Sequence, residues 1–373
     1  MEGWYGLRKE LLIIRLSSIG DVIHCTPVVK SLKLAWPDCR ITWLVSEASA
    51  DVIKYNPYID ECWVWSRERF EKYLRSLNFI EAWRMWRELQ AMLAKKSFYA
   101  VLDIHGLFLT GMIAIQAKAK RRIGLSGAKE LNSLFMTETA KPLGRHVTDK
   151  YLGVLQALGI DQIDHKMTVV VPTEARETAV SIFGKGGIGE NENIAVLIPG
   201  TTWSAKNWPP EYFAAVAQAL APDFKFVLGG SRAEISLAEE IALRAGVPML
   251  DICGSTNLIV LAAVIERATV VVTGDTGPLH IAAAVGTPAV AVFGPTNPLY
   301  YGPRQGKRSF LQAGLDCSFC HKYRCPKGDA KCMKDVLPAQ VVEAVYRITG
   351  VRPSERQFEA VGVRQQMPGA NNP

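Results

Sequence analysis

The stretch from Thr269 to Thr296, TVVVTGDTGPLHIAAAVGTPAVAVFGPT, constrains the fold more than any other part of the chain. The β-branched run Thr269 to Thr273 predicts a strand. The turn Gly274-Asp275-Thr276-Gly277-Pro278 follows, and then a short helix to Val285. Gly286 can close that helix in a left-handed conformation, and Ala289 to Phe293 predicts the next strand. A strand that feeds a helix through such a turn gathers free backbone N–H groups and the positive dipole end at one spot, which suits a phosphate. Gly277 allows a ligand close to the backbone, Thr276 offers a hydroxyl, and Pro278 is tolerated in a first helical turn. Many βαβ turns share this pattern and bind nothing, so the rest of the chain must decide.

The same alternation recurs through both halves. Leu11–Leu16 predicts a strand, Ser17 to Asp21 a loop, and Thr26-Pro27 the cap and first residue of a helix to about Trp36. Strands at Arg40–Val45 and Phe98–Ile104 come next, the second followed by a helix from about Leu109 to Ala119. The pattern restarts with a strand at Ile194–Ile198, a polar loop from Gly200 to Asn207, and a helix opened by Pro209. Phe224–Leu228, Ala233–Ala245, Pro248–Ile252 and Thr269–Thr273 continue it as strand, helix, strand and strand. Two successive runs predict two doubly wound α/β domains, residues 1–171 and 172–350, facing a cleft. The polar stretch 351–373 predicts a loose tail.

A length of 373 residues fits two cores better than one, and 49% apolar with 21% charged residues excludes a disordered chain. No run approaches the ~20 apolar residues that span a bilayer. The Leu11–Leu16 run, broken by Arg15, does not read as a signal peptide, so the expected location is cytoplasmic. The net charge of +7 is uneven: residues 1–170 carry 24 Lys and Arg against 18 Asp and Glu, and residues 171–373 carry 19 against 18. The first half is therefore the better candidate for an anionic partner, whether phosphorylated glycolipid, membrane surface or nucleic acid.

Asp21 stands where a strand ends, so its carboxylate can face the cleft and accept a proton from an attacking hydroxyl. A turn or helix-capping role would use the same residue type. Lys206, in the loop TTWSAKNWP after the Ile194 strand, is placed to neutralise a phosphate leaving group, with Thr201 and Thr202 adding hydroxyls. A solvated surface lysine is the plainer alternative.

The segments SSIGDVIHCTPVV, PGTTWSAKNWP and TGDTGPLHIAAAVGTPAVAVFGPTNP, in that order, resemble glycosyltransferase family 9, the ADP-heptose:lipopolysaccharide heptosyltransferases. YAVLDIHGLFLTGMIAIQAKAKRRIGL and HVTDKYLGVLQALGI extend the likeness, which runs from about Leu11 to about Thr349. The resemblance implies a GT-B arrangement of two Rossmann-like domains, with acceptor on the first and nucleotide sugar on the second. It implies that Asp21 is the catalytic base, with Ser18, Gly20, Arg121 and Arg122 near the acceptor. Lys206 would meet the donor diphosphate, alongside Thr201, Thr202, Asp275, Thr276, Gly277 and His280, while Glu234 would meet the ribose. His105, where many members carry glutamine, receives no role. The implied partners are ADP-heptose and a phosphorylated lipopolysaccharide core, met at the inner face of the inner membrane, with no nucleic acid. The implied transfer is inverting and needs no divalent metal, in keeping with the lack of any Asp-x-Asp pair.

Three further features need a place. Gly184 to Gly189 satisfies G-x-G-x-x-G, but a helical pattern precedes it and a strand follows, so it reads as a loop. Cys317, Cys320, Cys325 and Cys332 have spacings compatible with zinc or an iron–sulfur cluster, with reduced thiols, or with a redox-dependent bridge. Cys25, Cys39, Cys62 and Cys253 read as core residues. Ser66–Lys96 carries Trp83 and Trp86 among eight cations, with apolar residues at 70, 74, 77, 80, 83, 86, 89 and 93 on a helical face. That face can pack on the first domain or meet a lipid surface.

Overall fold

In the computed structural model, residues 8–354 are described. The expected tail lies, from residue 355 onward, outside the described residues. Two six-stranded sheets form, and every strand pair in both is parallel. The first holds β1 (Glu10–Ile14), β2 (Arg40–Val45), β3 (Glu61–Val64), β4 (Ser97–Asp103), β5 (Lys118–Leu125) and β6 (Glu138–Ala140), in the order β3-β2-β1-β4-β5-β6. The second holds β7 (Ile194–Ile198), β8 (Lys225–Leu228), β9 (Met249–Asp251), β10 (Val270–Gly274), β11 (Ala289–Val292) and β12 (Arg308–Leu311), in the order β12-β11-β10-β7-β8-β9. Each sheet is doubly wound. Its strand order reverses beside its first strand, between β1 and β4 and again between β7 and β10, and a crevice opens at the strand carboxyl ends there.

Strand periodicity explains the layers. Leu11 and Ile13 point to one face of β1, Leu12 and Ile14 to the other, and all four are fully buried. Leu12 and Ile14 join Trp65, Phe70, Met85, Leu89 and Leu93 in an outer layer. Leu11 and Ile13 belong to a cluster that runs without a break into the second half, through Leu279 and Ile281 to Val196 and Ile198. Ala195 and Leu197 face a separate outer layer closed by Phe213, Val341 and Val345.

Three expectations change. The first helix runs Ile19–Ala35 and does not wait for Thr26-Pro27. Pro27 sits inside it, and the carbonyl of Ile23, which lacks a donor from the proline, accepts from Thr26 Oγ1 at 2.7 Å. Asp21 therefore occupies a first helical turn and not a loop. Lys118, Ala119 and the residues to Leu125, partly assigned to a helix, form β5, because the preceding helix ends at Gln116. Ser66–Lys96 is two helices, Arg67–Arg75 and Phe79–Ala94, with Leu77 between them at φ 56°. Gly184–Gly189 is the end of the helix Thr173–Lys185 and a loop, as its context required.

The two halves meet through helix N-termini without room for a side chain. A Cβ on Gly20 would lie 2.6 Å from Cδ2 of His280, and a Cβ on Gly277 would lie 2.9 Å from Cγ2 of Ile19. Around this junction His24 Nε2 lies 3.2 Å from the Tyr301 carbonyl, His146 Nε2 2.9 Å from that of Gly302, and Arg304 binds Asp149 through both terminal nitrogens. We expect Gly20→Ala to cost about 1–3 kcal/mol, as overpacked buried sites do. Thermal melting checks this; a melting temperature equal to wild type would mean that His280 gives way.

Candidate functional site

The first Rossmann-like unit places Asp21 at its switch point. The carboxylate Oδ1 accepts from the Tyr151 hydroxyl at 2.6 Å, and Oδ2 accepts from Ser18 Oγ at 2.9 Å and from Arg15 Nη2 at 2.7 Å. Arg15 also donates from Nη1 to the Ile104 carbonyl and lies 4.8 Å over the Tyr151 ring, while its buried Nε has no partner. Burial works against ionisation of Asp21. The Arg15 charge and the Tyr151 and Ser18 hydrogen bonds outweigh it and hold the carboxyl well below the usual range. Burial keeps Tyr151 a neutral donor by pushing its pKa up.

A cavity of about 520 Å³ opens above Asp21. Arg15, Lys129, Arg145 and Lys150 line it, with Asp21 as the sole carboxylate among its lining residues. Its wall includes His105, and the loop that carries His105 is tied down by buried Asp103, which accepts from the His105 and Gly106 amides and from Asn132. Arg121 and Arg122 are not among the lining residues. Arg121 instead grips both oxygens of Glu138 at 2.8 Å and the Ala157 carbonyl at 2.6 Å, and Arg122 donates to the Phe135 carbonyl. A positive pair in a strand cannot be distinguished from a ligand-binding pair until its acidic partner is located.

Across the junction, β7 and β10 bring the second set together. Lys206 Nζ is 2.7 Å from Asp275 Oδ2, which also accepts from Thr296 Oγ1 at 2.6 Å; both members of the ion pair are mostly buried. Nζ lies 4.4 Å over the Trp203 ring as well. Thr201 Oγ1 is engaged within its own loop, 2.8 Å from the Trp203 carbonyl and 2.6 Å from the Asn207 side chain, and Thr202 is exposed. Thr276 caps the helix Gly277–Val285 without a side-chain hydrogen bond; the Leu279 amide donates to the Thr276 carbonyl and Pro278 has no N–H, so the Thr276 hydroxyl and the Gly277 amide are the groups left for a ligand. Glu234 lies against Gly200 and Gly230, at the ends of β7 and β8, and accepts from the Ser231 amide and hydroxyl.

Of the alternatives open for the four clustered cysteines, a metal centre finds no support in the structure. Among the described residues no three His, Cys, Asp or Glu side chains are grouped to hold a metal ion. All four thiols are free; Cys317 and Cys320 are exposed, Cys325 contacts Asp329, and Cys332 packs on Gly294. Their segment instead straps the loop from Gly200 to Asn207. The Tyr323 carbonyl accepts from the Ala205 amide and Ser204 Oγ, while the amides of Phe319 and His321 donate to the Gly294 and Pro295 carbonyls. Cys25, Cys39 and Cys253 are buried and Cys62 half-buried.

Arg15, Tyr151, His24 and His146 carried no assigned role in the sequence: Tyr151 and His146 lie more than a hundred residues from Asp21, Arg15 falls within the predicted Leu11–Leu16 strand, and His24, one helical turn after Asp21, falls in the predicted approach to a helix. His24 stacks edge-on against both His146 and His280. Burial dominates in holding all three neutral, and His280 is pulled down to about 4, with the nearby Lys206 adding to the effect against Asp21. A histidine lowered in the fold but ordinary, near 6.5, in the unfolded chain stabilises fully above that value, and the contribution is lost as pH falls below it. Between pH 8 and 6.5 the melting temperature should therefore stay level. It should then fall by pH 5, before carboxylates titrate; a flat profile to pH 5 would contradict the neutral cluster.

The chain matches the model of glycosyltransferase family 9 (heptosyltransferase) over residues 84–331. It is 25% identical to a lipopolysaccharide core heptosyltransferase, OpsX, of Haemophilus influenzae, covering 72% of this chain and 74% of that one. A family 9 glycosyl transferase from Veillonella parvula superposes with a TM-score of 0.77 at 26% identity, over 91% of this chain and 97% of that one. The Escherichia coli heptosyltransferase WaaC with ADP superposes at 0.69 and 22% identity, over 90% and 99%. With the family match spanning more than half its length, the chain belongs to glycosyltransferase family 9 and is a glycosyltransferase of the heptosyltransferase type, built on the GT-B arrangement.

Proposed function

We propose that the enzyme transfers heptose from ADP-heptose to a phosphorylated lipopolysaccharide inner-core acceptor, with inversion and without a metal ion. The observation that carries this reading is the junction of two helix N-termini, with Asp21 beside one and the Lys206–Asp275 pair beside the other. Residues 1–171 hold the acceptor and residues 172–350 the donor. The named relatives support the sugar class, and the basic lining of Arg15, Lys129, Arg145 and Lys150 supports an anionic acceptor.

A carboxylate offers about four lone-pair sites, and Asp21 has three filled by its own protein. The fourth accepts the acceptor hydroxyl. Because Arg15 and Tyr151 depress its basicity, Asp21 takes the proton late, as the new C–O bond forms and the hydroxyl becomes acidic. ADP leaves from the opposite face. Its growing charge meets the Lys206 ammonium, the Thr276 hydroxyl and the N-terminus of the Gly277 helix, which together supply the countercharge that a divalent ion provides elsewhere. Asp275 and the Trp203 ring hold Lys206 ready, and Glu234 contacts the ribose. A lipid-linked acceptor places the enzyme at the cytoplasmic surface of a membrane. No helix among the described residues is long and apolar enough to cross one.

Asp21→Asn should keep donor binding and lose about 10²–10⁴-fold in turnover. Retention of a third of wild-type turnover would remove Asp21 as base. Lys206→Ala should raise the KM for donor and lower kcat, since it meets charge already present and charge still developing. EDTA should leave transfer unchanged; inhibition that magnesium or manganese restores would overturn the metal-free mechanism.

A further inference from the structure

The hairpin of helices Arg67–Arg75 and Phe79–Ala94 divides its apolar residues in a way that folding alone does not require. Phe70, Ala82, Met85, Leu89 and Leu93 are buried in the outer layer of the first sheet. Leu77, Phe79, Ile80 and Trp83 gather at the tip and are 60–74% exposed, with Leu74 behind them at 41%. Large apolar side chains scattered singly over a surface are ordinary, whereas a contiguous group of them marks a contact surface. The tip is also held firmly. Leu77 has φ 56°, a conformation that costs a leucine roughly 1–2 kcal/mol. Hydrogen bonds from the Leu77 and Asn78 amides to the Leu74 and Tyr73 carbonyls, and the Asn78 cap on the next helix, fix it there. Glycine or asparagine would meet the backbone need at less cost, so the leucine serves what it faces.

Charge surrounds this tip. Of the eight Lys and Arg in residues 66–96, Lys72, Arg75, Arg84 and Arg87 lie on the tip side of the two helices, against Glu71, Glu81 and Glu88, while Arg67, Arg69, Lys95 and Lys96 lie toward the far ends. Arg75, Arg84 and Arg69 are 81%, 62% and 57% exposed. Arg75 and Arg84 pair with Glu71 and Glu81, and Arg69 with Glu47, in exposed contacts that hold little energy and leave the cations able to meet anions. Arg87 lies 5.8 Å from the Trp83 ring, so that indole presents an apolar body with a cation at its edge.

Position supplies the last constraint. At the opposite end of the first helix, Arg67 Nη1 is 3.0 Å from Nε2 of His105, in the wall of the cavity above Asp21. The helix has nine residues, so roughly 13 Å of helix separates Arg67 from the tip. We propose that the Leu77–Trp83 tip inserts into the headgroup boundary of an anionic bilayer and sets the cavity at the height of the head group of a lipid-anchored acceptor. This rests on the lipid-linked acceptor of the preceding section. A second copy of the chain is a poorer occupant. Tip-to-tip contact would bring the exposed Arg75 and Arg84 of both copies together.

The test is flotation of the full chain with vesicles of phosphatidylcholine alone or with one quarter phosphatidylglycerol. Wild type should float with the anionic vesicles, less so as salt rises. The triple change Leu77→Ser, Ile80→Ser, Trp83→Ser should weaken that binding by about 30-fold or more. All three side chains are exposed, so its melting temperature should match wild type. Transfer to a soluble, deacylated acceptor should stay within about twofold of wild type, and transfer to acceptor embedded in anionic vesicles should fall about tenfold or more. Brominated lipid should quench wild-type tryptophan fluorescence more than that of Trp83→Phe. Equal flotation of wild type and triple variant would overturn the proposal, as would a wild-type dimer that the triple change converts to monomer. Wild type that floats as expected yet transfers heptose to neither acceptor would instead count against the proposed function.

Discussion

The structure depends on the absence of two side chains. Gly20 and Gly277 let the first turn of one helix lie against the first turn of another, with His280 and Ile19 filling the space that two Cβ atoms would need. Each helix begins at the carboxyl edge of its own parallel sheet, where the positive dipole end and unpaired N–H groups collect. Pressed together, the two ends make one electropositive centre served by both halves. Asp21 and the Lys206–Asp275 pair are its neighbours. Neither carboxylate stands uncompensated, because Arg15 answers one and Lys206 the other.

That arrangement has a chemical cost. The same donors that keep Asp21 ionised make it a weak base, so in the proposed transfer its value lies in position and in one remaining lone-pair site. Lys206 is held by the Asp275 carboxylate, whose Oδ2 also accepts from Thr296, and by the Trp203 indole face, in place before the diphosphate of the proposed reaction arrives. Such preorganisation is what an electrostatic role demands, since little rearrangement is left for the moment of reaction. The cysteine-rich strap adds to it by fixing the Ala205 amide and the Ser204 hydroxyl on the Tyr323 carbonyl.

The histidines tie this centre to the join between the halves. His24 and His146 reach the backbone carbonyls of Tyr301 and Gly302, which belong to the second half, and His24 stacks on His280. Kept neutral by burial, they can accept and donate hydrogen bonds without adding repulsion to a site that already concentrates positive charge.

Much of this was legible in the residues themselves. β2 and β7 run as their apolar patterns require, the Gly274–Gly286 turn and helix lie where glycine, proline and periodicity put them, and Asp275 directly follows β10, while Asp21 and Lys206 lie in the segments that follow β1 and β7. These are local properties, set by backbone preference and by the spacing of side chains along one element. The start of the Ile19 helix was not legible, because Thr26-Pro27 imitates a cap until Thr26 is seen bonding the carbonyl that the proline leaves open. Tertiary structure alone decided that Arg121 holds Glu138, that Arg15 and Tyr151 govern Asp21, and that the four cysteines form a strap without a metal-holding cluster. It also decided which apolar residues of Ser66–Lys96 are buried, since one leucine at φ 56° turns a single amphipathic stripe into two helices with a bare tip. Sequence records what each side chain can do, but a partner more than a hundred residues away, such as Tyr151 for Asp21, is supplied only when the sheets close and bring the two within hydrogen-bond reach.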